Sequence, residues 1–234
     1  MSEIARRIAL NLQNVRRRIA QACLRSNRPD DAARLVAVTK TVEPDLVRML
    51  FDAGQRDFGE NRPQELQRKF ETLVDLDLRW HMIGHLQSNK VRKTLSASRF
   101  IHSVDSLKLA REISRIAAQD DLRVEILLEV NVSGEDAKSG LSPGETSSVA
   151  GEVGKLPNVQ LAGLMTMAPL SGNPEDARGV FVGLRELADK IRAMNLPGVR
   201  MDELSMGMSN DFEVAVEEGA TIVRVGSALF EGVS

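Results

Sequence analysis

A chain of 234 residues, 42% hydrophobic and 27% charged, has the balance of a folded globular protein, long enough to bury a substantial core and far from a disordered composition. With 31 Lys and Arg against 33 Asp and Glu, its formal charge of -2 gives no general attraction to nucleic acid or to an anionic membrane. The lone Cys23 excludes an intrachain disulfide and a cysteine zinc cage, and the absence of tyrosine excludes a phenolic acid or base from this chain or an identical partner.

No apolar run approaches the roughly 18 residues that span a bilayer, and no apolar core follows a basic N-terminus as in a secretory signal, so a cytoplasmic location is expected. Residues 4–29 carry several arginines and no acid, a bias shared with mitochondrial presequences. In the same stretch Ile4, Ile8, Leu12, Val15 and Ile19 recur at spacings of three and four and predict a docked amphipathic helix. Arg16, Arg17 and Arg18 fall mainly on its other face, where a solvated surface explains them better than RNA does, with nothing aromatic beside them.

The first strand is predicted over 34–40. With period-two alternation, Val36, Val38 and Lys40 share one face, so the Lys40 amine emerges above a layer of buried side chains. Shielding from water there favours the neutral amine that attacks a carbonyl; a strand-end lysine reaching solvent is the alternative. A helix opens at Glu43-Pro44 and closes at Ala53-Gly54, and a strand over 57–59 leads to Asn61. A helix over 64–74, a strand over 78–83 running into Gly84-His85, a helix over 86–95 and a strand over 99–103 follow. Asp105 is expected to cap a helix over 106–119, and 123–132 is the strongest strand pattern in the chain. Beyond a loop rich in Gly, Ser and Pro come a helix over 144–155, a strand over 160–167, a long helix over 174–194 and a short strand over 203–206. Ser209 is expected to cap a helix over 210–218, before a last strand over 221–225. Eight strands, each followed by a helix or helical turn, predict an α/β fold: one domain over 1–234, a (β/α)8 TIM barrel with an extra N-terminal helix. An open doubly wound sheet is the competing architecture.

In a barrel the strand C-terminal ends share one face, which gathers Lys40, Asn61, His85, Asn131, Thr166, Ser205 to Ser209, Arg224 and Gly226-Ser227. Ser205-Met-Gly-Met-Ser209 and Gly226-Ser227 offer backbone N–H groups and hydroxyls at helix starts, an anion site in the loops where barrels hold phosphate; ordinary glycine turns with serine caps are the plain alternative. Arg224 shares a strand face with Ile222 and Gly226, and an arginine at an apolar barrel mouth needs a partner: a carboxylate such as Glu129 or Glu203, or a ligand. An amine, a phosphate cradle and an arginine between them suit pyridoxal 5'-phosphate (PLP). His81 and His85 stand four apart across Gly84 on a strand and do not make a helical metal motif, and Met165, Met167, Met206 and Met208 suit rim packing better than ligation.

Val-Ala-Val-Thr-Lys40, Asp57-Phe-Gly-Glu-Asn61, Arg79-Trp-His-Met-Ile-Gly-His-Leu-Gln-Ser-Asn-Lys90, Ile101-His-Ser-Val-Asp-Ser106, Gly163-Leu-Met-Thr-Met167, Leu204-Ser-Met-Gly-Met-Ser209 and Val223-Arg-Val-Gly-Ser227 together resemble the YggS/PROSC family of PLP-binding proteins. The resemblance runs from the first strand to the end, departing at Arg62-Pro63. It implies the barrel of the alanine racemase N-terminal domain standing alone, with a role in vitamin B6 homeostasis and no established catalysis. By that resemblance Lys40 carries PLP as a Schiff base, Arg224 faces the pyridine nitrogen, and Ser209, Gly226 and Ser227 hold the phosphate with Ser205 close by. Asn61 lies near the ring substituents, and His85 is a further neighbour. The expected partners are PLP and the apo forms of PLP-dependent enzymes, with neither nucleic acid nor membrane, and the missing second domain suggests a monomer. An amino-acid racemase would need a second proton donor on the opposite ring face, where the usual tyrosine is missing. A class I aldolase using Lys40 without a cofactor is the third reading.

Overall fold

The computed structural model describes residues 2–135, 139–169 and 171–233, so the loop after the fifth strand lies partly outside the described residues. Eight parallel strands pair in chain order and close, first to last, into a barrel: β1 (Arg34–Val38), β2 (Asp57–Glu60), β3 (Arg79–Met82), β4 (Phe100–Val104), β5 (Val124–Glu129), β6 (Val159–Met165), β7 (Val199–Ser205) and β8 (Ile222–Val225). Closure comes through β8 against β1, with Val36 level with Arg224. The competing open sheet is thereby excluded.

Between the strands lie α2 (Pro44–Asp52), α3 (Pro63–Thr72), α4 (Val91–Leu95), α5 (Leu107–Gln119), α6 (Pro143–Val153), α7 (Arg178–Ala193) and α8 (Phe212–Glu217). Pro63 takes the first helical position of α3, and Arg62 before it is extended, as a residue preceding proline prefers. The N-terminal helix α1 (Glu3–Arg25) buries Ile8, Leu12, Val15 and Ile19 against the barrel's helical layer, each burial worth roughly 1.5–3 kcal/mol. Ile4, predicted on that stripe, is exposed, one turn beyond the packed surface. Two of the three consecutive arginines fasten this helix down: Arg16 donates to Gly54 O (2.9 Å), and Arg18 pairs with Glu213 (2.8 Å) while its guanidinium lies 4.6 Å from the Phe212 ring centre. Among the described residues no helix is long and apolar enough to cross a membrane.

Several boundaries differ from the sequence reading for local reasons. β1 stops at Val38: Thr39 N–H still reaches Gly59 O (3.1 Å), but Val42 N–H then bonds Thr39 O and turns the chain, leaving Lys40 in the turn. β7 starts at Val199, not 203: Val199 and Met201 alternate with the exposed Arg200 and Asp202, extending the strand by four residues. Residues 86–95 form a 3-10 turn, Ser88–Lys90, followed by α4. Ser106, not Asp105, caps α5, accepting from Leu109 N–H (3.3 Å).

Inside the barrel, Val36, Phe100, Leu127, Ala162, Met165 and Ile222 form a small apolar cluster separate from the main core under the helices. Barrel interiors are ordinarily filled by branched apolar layers. Here His81, His102, Ser205 and Arg224, all buried, occupy the rest of that space.

Candidate functional site

The C-terminal ends of the strands surround a cavity of about 590 Å³. Its wall includes Lys40, Asn61, His85, Ser209, Arg224, Gly226 and Ser227, so seven of the eight sequence candidates meet there. Val38 and Lys40 both face it while Val36 lies in the interior cluster, as the alternation of β1 predicts. The expected shielding of Lys40 is not met: the residue is exposed, because the turn at Thr39 lifts it off the strand.

Gly84 holds Asn61 in position. A Cβ on Gly84 would sit 2.3 Å from Asn61 O, so the β2 and β3 ends approach this closely only with glycine there. Gly84→Ala is expected to cost about 1–3 kcal/mol of stability through that clash, read as a lower urea midpoint; an unchanged midpoint would show that the Asn61 turn yields freely.

Ser209 does not cap a helix. α8 begins at Phe212, three residues later, and Asp211 Oδ1 instead accepts from Met208 N–H (2.6 Å). That leaves the Ser209 hydroxyl on the cavity wall, accepting from Gly226 N–H (3.3 Å), which joins the loops after β7 and β8. Ser227 opens the 3-10 turn Ser227–Leu229 beside it.

Arg224 is buried, and neither Glu129 nor Glu203 pairs with it. Glu203 bonds Arg34 (2.7 Å), while Glu129 accepts from Ser139 Oγ (2.8 Å). Instead Arg224 donates to Ser205 Oγ (2.6 Å) and Thr166 O (2.9 Å). Burial pulls the Arg224 guanidinium down to about 10, against the distant charges of Asp211 and Glu129. Burial likewise pushes both of those carboxyl groups up, and both line the cavity. The sequence reading passed over Asp211 and gave Glu129 only as an ion-pair partner. The position of Glu129 at the last residue of β5 is the signal that it faces the mouth.

Ser205 is the one candidate away from the wall. It lies below Arg224, fully buried, where it begins a chain of hydrogen bonds through the barrel. His102 Nδ1 lies 2.8 Å from Ser205 Oγ, His102 Nε2 lies 2.9 Å from His81 Nδ1, and His81 Nε2 lies 3.1 Å from Asp57 Oδ1. The ends set its direction. Arginine only donates and a carboxylate only accepts, so Ser205 donates to His102, His102 to His81 and His81 to Asp57, with both imidazoles neutral. Asp57 suits the accepting end: burial pushes it up, but hydrogen bonds from His81 and Arg79 prevail and hold it below the usual carboxylate range. Of the other strand-end residues, Asn131 bonds within its own loop, to Gly134 N–H and Glu135 O, and Thr166 Oγ1 donates to Val130 O. Met167 and Met208 line the cavity, whereas Met165 and Met206 are core.

The buried imidazoles set a pH dependence. Burial first, then the repulsion a protonated His81 would exert and the charge of Arg224, hold His102 well below 6.5. Burial also lowers His81, against the pull of Asp57. A base whose folded pKa is depressed protonates first in the unfolded chain, so the stability of its neutral form is complete above about pH 6.5 and is lost as pH falls below it. Unfolding free energy is expected to decline from about pH 6.5 downward, and His102→Gln is expected to flatten that decline. Urea melts at intervals from pH 7 to 5 test this; superimposable profiles would refute it.

Residues 10–233 match the protein family described as the alanine racemase N-terminal domain. A pyridoxal phosphate homeostasis protein of Aquifex aeolicus is 46% identical over 94% of this chain and 95% of its own length. Among solved structures, an unknown protein from Bifidobacterium adolescentis superposes with a TM-score of 0.93 at 41% identity, covering 98% of this chain and 97% of that one. PipY of Synechococcus elongatus, solved with PLP bound, gives a TM-score of 0.82 at 38% identity over 95% and 99% of the two chains.

Proposed function

Because the chain belongs to the alanine racemase N-terminal-domain family and, within it, to the pyridoxal phosphate homeostasis proteins, we propose that it binds PLP at the C-terminal mouth of its barrel and passes it on to apo-enzymes in the cytoplasm. The whole chain, 1–234, is read as one cofactor-holding barrel acting as a monomer. The observation that carries the reading is the convergence on one cavity of an exposed amine, a buried arginine that has no carboxylate partner among the described residues and a hydroxyl-lined turn pair.

The donor set fits the cofactor. PLP supplies an aldehyde that a lysine amine can hold covalently, a pyridine nitrogen that accepts hydrogen bonds and a phosphate that takes several donors. Lys40 would hold the aldehyde: among the described residues it is the one lysine in the wall. Arg224 would donate to the ring nitrogen. A desolvated cation disfavours protonation of that nitrogen and weakens the ring as an electron sink, which suits holding over carbanion chemistry. Ser209, Gly226 and Ser227 would take the phosphate, Asn61 would meet the ring substituents and His85 would stand at the mouth. His85 is partly occupied already, its Nδ1 lying 3.3 Å from Asp105 Oδ2. Ser205 is read as the support that orients Arg224, not as a phosphate ligand.

Two measurements test the role. PLP-loaded protein mixed with the apo form of a PLP-dependent enzyme is expected to restore that enzyme's activity. Incubated with amino acids in deuterated water, the loaded protein is expected to exchange no α-protons. Sustained racemization would replace the carrier reading with the catalytic one.

A further inference from the structure

We propose that the opposite end of the barrel is a second ligand site, for a small organic anion with a flat apolar body. Six of the eight strands begin at or next to an arginine; Arg56, before β2, turns to Phe51, and the other five are Arg34, Arg79, Arg99, Arg123 and Arg200. Barrel closure brings these five to the wall of one cavity of about 770 Å³ at the strand N-terminal ends. Among the described residues two carboxylates, Asp57 and Glu125, share that wall.

Ion pairs account for three of the arginines. Arg34 bonds Glu203 (2.7 Å), Arg79 bonds Asp57 (2.7 Å), and Arg200 bonds Glu125 and Asp202 (3.1 Å each). Arg99 donates only to the carbonyl of the adjacent Ser98 (3.3 Å), and among the described residues Arg123 has no side-chain hydrogen bond or ion pair. Arg99 and Arg123 precede the paired strands β4 and β5, and both reach the wall of the same concavity without a hydrogen-bonded carboxylate among the described residues. A guanidinium presents a planar fork of N–H donors that matches a carboxylate or phosphate.

The floor is not polar throughout. Phe100, Trp80 and Leu78 line it, and Arg34 lies 5.5 Å from the Phe100 ring centre. Cations over an aromatic floor in a concave space suit an anion that brings its own ring; a bare inorganic ion would leave the apolar surface in water.

Trp80, the single tryptophan of the chain, packs against Phe58 in the core and borders this cavity, so its fluorescence can report on it. Its fluorescence is followed at constant ionic strength while phenyl phosphate, benzoate, inorganic phosphate or phenol is added, with the protein preloaded with PLP and again without it. A saturable change with phenyl phosphate or benzoate is expected in both preparations, about tenfold weaker with inorganic phosphate and absent with phenol. Arg99→Gln/Arg123→Gln alters two exposed side chains, so folding is expected to be retained, as circular dichroism checks. It is expected to weaken phenyl phosphate binding by about a hundredfold while leaving the visible absorbance of the loaded protein unchanged. No saturable response, equal affinity in the double variant, a response abolished by PLP loading, or inorganic phosphate binding as tightly as phenyl phosphate would each overturn the proposal.

Discussion

Lys40→Ala is expected to abolish the visible absorbance of the PLP-loaded protein while changing the stability of the unloaded chain by no more than about 0.5 kcal/mol. The two halves of that result have separate causes. Lys40 is exposed, in the turn after β1, and takes no part in the packing of Val36 and Val38 below it, so its truncation leaves neither a cavity nor a stranded partner. The absorbance depends on an amine that can bond the aldehyde. Among the described residues the other lysines stand outside the cavity wall, and Lys69 is committed to Glu60. Lys40→Arg sharpens the test: it keeps the charge, yet a guanidinium does not replace an amine as the nucleophile, so the absorbance is expected to be lost there too. Weak, colourless binding is expected to persist in both variants through Arg224 and the Ser209–Gly226 turn pair, measurable by equilibrium dialysis. A visible band of full intensity in Lys40→Ala would remove the residue from the site.

Seven wall residues were legible in the sequence because six of them follow a strand end marked by alternation or by a Gly, Asn or Ser, Arg224 stands within the last strand on the face of Gly226, and barrel closure does the rest. What alternation cannot supply is the identity of partners. Arg224 announces a need for one, but its neighbours, Ser205 and the Thr166 carbonyl, come from β7 and the end of β6, and only the closed register selects them over Glu129 or Glu203. His81, His102 and Ser205 sit on β3, β4 and β7, and no local pattern links three single polar residues across the lumen. Caps failed for a related reason. Ser209 stands three residues before a helix start, but Gly226, brought in from another segment, engages its hydroxyl; at α5 the neighbouring Ser106 takes the capping position, leaving Asp105 to His85.

The largest stability effect is expected at Lys69, behind the cavity and not in it. Lys69 and Glu60 are almost wholly buried between β2 and α3, with Lys69 Nζ 2.6 Å from Glu60 Oε1 and 2.5 Å from Thr39 O. Thr39 Oγ1 donates to the same carboxylate oxygen (2.6 Å), while Glu60 Oε2 has no hydrogen-bond partner among the described residues. One charge is thus compensated by a single cation, and Lys69→Met strands it. Breaking a buried pair from one side costs about 3–5 kcal/mol, because the desolvated carboxylate loses its counterion while the burial remains. Replacing both members, Glu60→Leu with Lys69→Met, removes the stranded charge and is expected to recover most of that loss. Urea denaturation at neutral pH distinguishes the two; a Lys69→Met midpoint matching the parent would mean that the pair contributes nothing. The same ammonium also holds the carbonyl of the residue before Lys40. In the double variant, stable but without that tether, the turn carrying the amine is expected to loosen and PLP to bind several-fold more weakly, which would separate the part Lys69 plays in the fold from its part in aiming Lys40.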